Sequence, residues 1–248
     1  MKTKESGKSK WIYGIGRILF ILLIFASVGI YIYADDYYRP SVTAQSALQS
    51  VQGIEFTVED GDLVFTPENP VGGVVIYPGG RVSERAYGLL GSKIAGMGYK
   101  TVIIKAPLKL SILSNQAAKK YVEEEGLSDW VIIGHSLGGV SAARFTEKNP
   151  DKIRALVFLA AYPDGGTDLR DAPFKVYSLV GTKDSVIDME NLEEAKVRLP
   201  VSMIEVDIRG GNHSSFANYG VQDGDTLPDI GYNAQQNFVL DVLRDAFR

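Results

Sequence analysis

Six short apolar runs, at residues 74–77, 101–104, 130–133, 155–159, 175–180 and 203–208, dominate the second half of this chain, and most do not alternate with polar residues. A strand with one solvent face alternates, so continuous runs of this length belong to a sheet covered on both faces. Between them lie segments of helical period, such as residues 83–95, where Ala86, Leu89, Leu90 and Ile94 share one face and Ser83 stands ready to cap. This alternation predicts an α/β fold with a doubly wound, mostly parallel sheet. Residues 54–58 and 63–65 flank Asp60-Gly61, a dipeptide suited to a tight turn, and predict an antiparallel hairpin at the start. A hydrophobic share of 45% over 248 residues supports one such domain plus an appendage.

Ligands of open α/β sheets gather at the C-terminal ends of the strands. Gly134-His135-Ser136-Leu137-Gly138 lies at such an end: a strand runs into it, and a helix with Gly139, Ser141, Ala142 and Ala143 near its start leaves it. A serine on a sharp strand-to-helix turn needs flanking glycines, because strand and helix come too close there for side chains. That turn makes Ser136 the candidate nucleophile and aims the helix N-terminus, with the Leu137 N–H, at any oxyanion formed on it. A glycine-rich turn or phosphate loop is the competing reading, but the domain carries no Walker pattern and no G-x-G-x-x-G.

A serine needs a base, and the chain has only two histidines. His135, inside the turn, is expected to point away from the hydroxyl, which leaves His213 in Gly210-Gly211-Asn212-His213-Ser214, just past the last expected strand. An acid must orient that imidazole. Asp184, in Gly181-Thr182-Lys183-Asp184, follows the strand at 175–180 and is the first choice; Asp188 and Glu190 enter a helix where acids serve capping, and Asp164 and Asp168 follow the preceding strand. The chain order is Ser136, Asp184, His213. A second oxyanion donor is expected from Tyr77-Pro78-Gly79-Gly80-Arg81, with Gly80 chosen and Gly79 and Arg81 as neighbours; an ordinary Pro-Gly turn is the alternative. Arg81 is a candidate to bind a substrate carboxylate, or else an ordinary solvated arginine.

Composition removes other chemistries. With no cysteine and two histidines there is no disulfide, no thiolate nucleophile and no zinc site of Cys or several His, so no metal or cofactor is expected. The first 34 residues hold five basic groups against one acid, leaving 21 basic against 29 acidic groups, a net −8, in the remainder. An acidic body argues against nucleic acid as partner.

Residues 11–34 carry one charge, Arg17, and as a helix would span about 36 Å, enough for a hydrocarbon core of about 30 Å. Trp11 and Tyr13 at one end and Tyr31, Tyr33, Tyr37 and Tyr38 at the other fit interfacial belts, and Arg17 can snorkel. The preceding lysines place the N-terminus in the cytoplasm and the domain outside. The competing reading is a cleaved signal peptide with Ser27-Val28-Gly29 as its small-x-small site. The expected organisation is a basic cytoplasmic tail (1–10), a membrane anchor (11–34), a polar tether (35–52) and a catalytic domain (53–248).

The PGG-R-V loop, the W-V-I-I-G-H-S-L-G-G turn, the G-T-K-D turn and the G-G-N-H-S-S-F loop together resemble the α/β-hydrolase superfamily, and within it small bacterial carboxylesterase-like or dienelactone-hydrolase-like proteins. The resemblance implies a triad of Ser136, Asp184 and His213, with oxyanion donors at Leu137 and Gly80. It implies hydrolysis of an ester or related small acyl substrate. An acyltransferase with the same residues, and a noncatalytic binding protein on this scaffold, are the alternatives. Only residues 162–173 separate two strands where many lipases carry a helical lid, so an open site is expected. The stretch 219–225 is expected either to wall the pocket or support His213, or to be a plain surface loop.

Overall fold

The computed structural model describes residues 6–248 and divides into two units, residues 1–37 and 38–248. The first holds helix α1, Ser6–Asp35. Its Tyr13–Asp35 stretch is apolar, exposed to solvent, and long enough to cross a membrane by length and composition. Of the basic tail expected over residues 1–10, residues 1–5 lie outside the described residues and 6–10 are helical.

The second unit begins earlier than the expected boundary at 53. Tyr38 bridges Val82, its N–H donating to the Arg81 carbonyl at 2.7 Å, and a short helix α2, Val42–Ser46, follows under the Ser41 cap with Ala44 fully buried. The stretch read as a polar tether is therefore part of the folded domain from Tyr38 onward. Its small residues allow this: Gly88, at the start of helix α3 (Gly88–Ala95), has no room for a Cβ, which would lie 2.7 Å from the Ala44 carbonyl.

Eight strands form one sheet: β1 (Ile54–Glu59), β2 (Asp62–Pro67), β3 (Gly72–Tyr77), β4 (Tyr99–Ile103), β5 (Trp130–His135), β6 (Ile153–Leu159), β7 (Lys175–Gly181) and β8 (Ile204–Ile208), in the order β1-β2-β4-β3-β5-β6-β7-β8. The β1–β2 hairpin is antiparallel and turns on Asp60 (φ +53°) and Gly61 (φ +94°), two left-handed residues whose twist matches that of the strands. β2 is antiparallel to β4, and all pairings from β4 to β8 are parallel. The predicted mixed α/β sheet with an antiparallel start is thus present.

Continuous burial of the central strands follows from helices on both faces. Val74, Ile76, Val131 and Ile133 pack with Leu90 and Ile94 of α3 and with Val239 and Leu243 of α7 (Tyr232–Ala246). Val75, Tyr77, Trp130 and Ile132 face the other way, onto Tyr121 and Val122 of α4 (Lys119–Val122) and Ala142, Ala143 and Phe145 of α5 (Leu137–Lys148). Alternate residues thus serve opposite cores. Each buried aliphatic side chain contributes about 1.5–3 kcal/mol, which makes the sheet centre the rigid platform of the domain. The helix expected from Ser83 is split: Ser83 caps a 3₁₀ turn, Glu84–Tyr87, before α3 begins at the Gly88 close approach. A further helix, α6 (Met189–Ala195), follows β7.

Strand order reverses at β3, whose neighbours β4 and β5 lie on opposite sides. The crevice outside the C-terminal ends of β3 and β5 is the topological switch point. Tyr77 and Gly134 are register partners there, so the loop after β3 and the turn after β5 leave the sheet side by side.

Candidate active site

Ser136 sits between β5 and α5 at φ +50°, ψ −126°, a conformation that costs a non-glycine residue about 1–3 kcal/mol. It is held by its N–H to the Leu159 carbonyl (3.0 Å) and by its own carbonyl, which accepts from the Gly139 N–H (2.8 Å). The flanking glycines have the steric reason anticipated. A Cβ on Gly134 would lie 2.4 Å from the Gly139 Cα, and one on Gly138 would lie 2.2 Å from the Tyr77 carbonyl oxygen.

His213 and Asp184 meet at the same edge. Nδ1 of His213 is 2.9 Å from Oδ2 of Asp184, with the two side chains 2% and 0% exposed. The other carboxylate oxygen, Oδ1, accepts the backbone N–H groups of Val186 and Ile187, both at 2.9 Å. Three donors therefore fix the carboxylate. Because the carboxylate accepts, Nδ1 carries the imidazole proton and Nε2 presents a lone pair. That Nε2 is buried and has no hydrogen-bond partner among the described residues.

Ser136 and His213 line one cavity of about 260 Å³, walled by Leu137, Val140, Ala161, Val186 and Ile187. Ser136 also lines a second, more polar depression of about 320 Å³ with Tyr38, Gly80, Arg81, Gln222 and Asp223. The serine thus stands on the wall between an apolar and a polar recess.

Of the three residues weighed as a donor from the loop after β3, two already spend their N–H groups. Gly79 donates to the Tyr87 hydroxyl (2.9 Å) and Arg81 to the Lys109 carbonyl (2.9 Å). Among the described residues the Gly80 N–H has no acceptor, nor does that of Leu137, the first residue of α5. A Cβ on Gly80 would lie 3.0 Å from Leu137 Cδ2 and 3.4 Å from its Cβ, so Gly80 packs directly against the Leu137 side chain. Arg81 itself takes φ +57° and lines the polar recess.

The rival aspartates are engaged in other bonds, although Asp188 also lines the apolar cavity. Asp188 caps α6, accepting from Asn191 N–H at 3.0 Å; Asp164 pairs with Arg144 at 2.5 Å; Asp168 pairs with Arg170; and Glu190 is exposed in the first turn of α6. His135 is fully buried beneath the serine, and burial pushes its pKa well down, keeping it neutral.

Gln235, which no sequence motif marks, and Asp225, within the 219–225 stretch, hold the loop that carries His213. Gln235 of α7 is buried and forks the Asn212 backbone, accepting its N–H at 3.0 Å and donating to its carbonyl at 2.7 Å. Asp225 accepts the His213 N–H (3.4 Å) and both the N–H (2.9 Å) and hydroxyl (2.6 Å) of Ser214. The 219–225 stretch therefore braces the His213 loop through Asp225, and through Gln222 and Asp223 it also walls the polar recess. A signal for Gln235 existed: a polar residue one helical turn before Val239, on the side of α7 that buries Leu240, Leu243 and one other glutamine, Gln236. Among the described residues no group of three His, Asp or Glu side chains gathers to hold a metal ion.

Among solved structures, the dienelactone hydrolase of Anabaena variabilis is similar at a TM-score of 0.60 and 16% identity, covering 79% of this chain and 100% of that one. A monoacylglycerol lipase of Paleococcus ferrophilus (TM-score 0.59, 16% identity, 77% and 99% covered) shares the fold, as does a carboxylesterase of Bacillus subtilis (0.55, 12%, 87% and 97%). No curated protein sequence matches the chain. The model of the alpha/beta hydrolase family matches residues 73–237, which span β3 to the first turns of α7 and include every candidate site residue. The chain belongs to the alpha/beta hydrolase family.

Proposed function

We propose that this chain is a serine hydrolase that cleaves an ester or related acyl bond of a small substrate. The observation that carries the reading is the His213 imidazole, whose Nδ1 is bound to Asp184 while its buried Nε2 has no partner among the described residues, in a residue that lines the same cavity as Ser136. In the proposed reaction Ser136 Oγ attacks the carbonyl carbon and passes its proton to His213 Nε2. Asp184 stabilises the imidazolium and fixes its tautomer. The tetrahedral oxyanion accepts the N–H groups of Leu137 and Gly80, the donors left uncommitted by the fold. His213 then returns the proton to the leaving alcohol, and water, activated by the same Nε2, releases the acid from the acyl-enzyme.

The apolar recess of about 260 Å³ is smaller than the roughly 300–1,000 Å³ typical of drug-sized ligands, which favours a short acyl group. The 162–173 segment holds no helix to act as a lid. The apolar, exposed Tyr13–Asp35 stretch of α1 supports a membrane anchor, and the lysines that precede this stretch support an extracytoplasmic catalytic domain.

Turnover of nitrophenyl acetate, butyrate and decanoate by carbonate-washed membranes bearing the full chain tests the reading. Short esters should be hydrolysed fastest, with the activity kept on the membrane, and Ser136→Ala should lower turnover by at least about 10³-fold. Ser136→Ala turnover equal to that of the unaltered chain would exclude Ser136 as nucleophile.

A further inference from the structure

One buried histidine is unused by that mechanism. His135 Nδ1 lies 2.6 Å from the Tyr87 hydroxyl oxygen, and its Nε2 lies 3.1 Å from the carbonyl oxygen of His213. The Tyr87 oxygen in turn accepts the Gly79 N–H at 2.9 Å. All of these bonds are buried.

Only one set of hydrogens satisfies them. The His213 carbonyl can only accept, so Nε2 of His135 carries the proton. A neutral imidazole has one N–H, so Nδ1 is an acceptor and the Tyr87 hydroxyl must donate to it. The lone pairs left on that hydroxyl take the Gly79 N–H. Burial pushes the tyrosine pKa upward and the histidine pKa downward, which keeps the first an O–H donor and the second neutral. The resulting chain runs Gly79 N–H to Tyr87 O–H to His135 Nδ1, then His135 Nε2–H to the His213 carbonyl.

Its two ends are informative. Gly79 immediately precedes Gly80, the uncommitted donor, and His213 is the base. Packing is tight at the first end: a Cβ on Gly79 would lie 3.1 Å from His135 Nδ1 and 3.4 Å from Ser136 Cβ, both side-chain atoms. At the other end the His135 and His213 ring centroids are 4.9 Å apart. We propose that Tyr87 and His135 are positioning residues that lock the oxyanion loop and the base loop to one another across Ser136, through this single-direction chain of hydrogen bonds. The proposal rests on the hydrolase reading above. Both side chains spend their polar atoms on this chain of bonds, and neither is hydrogen-bonded to His213 Nε2. Their work is to set the spacing between Gly80 and His213, and errors of about 1 Å in such spacing can cost up to about 100-fold in rate.

The test uses the full chain in detergent, with a fluorophosphonate counting competent sites and a nitrophenyl ester giving kcat per counted site. Tyr87→Phe removes the hydroxyl and leaves the ring. It should lower kcat per site by about 10- to 100-fold with KM within about twofold. His135→Leu removes both bonds and should do the same, whereas His135→Gln retains one donor and one acceptor and should recover most of the loss. A merely structural role would reduce the number of sites counted and leave kcat per site unchanged. Unchanged kcat per site in Tyr87→Phe overturns the proposal. If that variant does not accumulate, His135→Gln no better than His135→Leu overturns it. Failure of the hydrolase reading looks different: the unaltered chain itself would then count no sites.

Discussion

Replacing Asp184 by Asn changes one atom and tests whether the carboxylate sets the protonation of His213. Oδ1 accepts two backbone N–H groups, at Val186 and Ile187, while Oδ2 faces His213 Nδ1. An Asn that keeps its oxygen on the two backbone donors turns its NH₂ toward Nδ1. That nitrogen must then accept, the imidazole proton moves to Nε2, and the base is blocked. The amide can restore the working tautomer only by rotating, which points NH₂ at two partly buried N–H groups. Leaving each unpaired costs about 1–3 kcal/mol, so about 2–6 kcal/mol in all. At 1.36 kcal/mol per decade this leaves the working form at between about 1 in 30 and about 1 in 3 × 10⁴. Loss of the charge that steadies the imidazolium adds to the deficit. Asp184→Asn should therefore lower kcat/KM for a nitrophenyl ester by about 10³- to 10⁴-fold. Stability should fall by only about 1–2 kcal/mol, because the Oδ1 bonds survive and one charge-assisted bond is exchanged for a neutral one. Melting followed by circular dichroism checks the second half. A folded Asp184→Asn chain within about tenfold of the unaltered kcat/KM would refute the reasoning.

Two further outcomes follow from the same geometry. Gly138→Ala places a Cβ 2.2 Å from the Tyr77 carbonyl oxygen and 2.5 Å from that of Pro78, both backbone atoms, so α5 or the oxyanion loop must shift. The expected loss is about 1–3 kcal/mol of stability and at least about 100-fold in kcat, read by denaturant titration and ester turnover. Acid should destabilise the fold through His135, whose pKa is lowered by burial, so the unfolded chain binds the extra proton. The contribution is whole above the unfolded value of about 6.5 and is lost as pH falls from there toward the lowered folded value, by up to about 1.4 kcal/mol per pH unit. Midpoints in urea between pH 7 and 5 should show this slope, and His135→Gln should flatten it.

What was legible in the sequence was what local sterics and strand ends decide. The glycines around Ser136 announce a close approach wherever the rest of the chain goes, and Asp184 and His213 follow strands whose C-terminal ends must share an edge. Gly80 was picked out from its neighbours by sequence, but the reason for preferring it appears only once Tyr87 and the Lys109 carbonyl are seen to occupy Gly79 and Arg81. Gln235 could be noticed as a polar residue in an amphipathic helix, but its partner was out of reach because it meets Asn212 across 23 residues. The domain start was misjudged for a physical reason as well. Residues 38–50 are polar in composition, yet a capping serine at Ser41 and the small Ala44 and Gly88 let a single helical turn dock with few apolar side chains. The membrane-length helix was legible throughout, since length and apolarity suffice for it.

The account stands or falls on the nucleophile. Intact and peptide mass spectrometry of the full chain after fluorophosphonate treatment should find one adduct, on the peptide carrying Ser136, and none in Ser136→Ala. An unmodified chain, or an adduct that persists in Ser136→Ala, would contradict it.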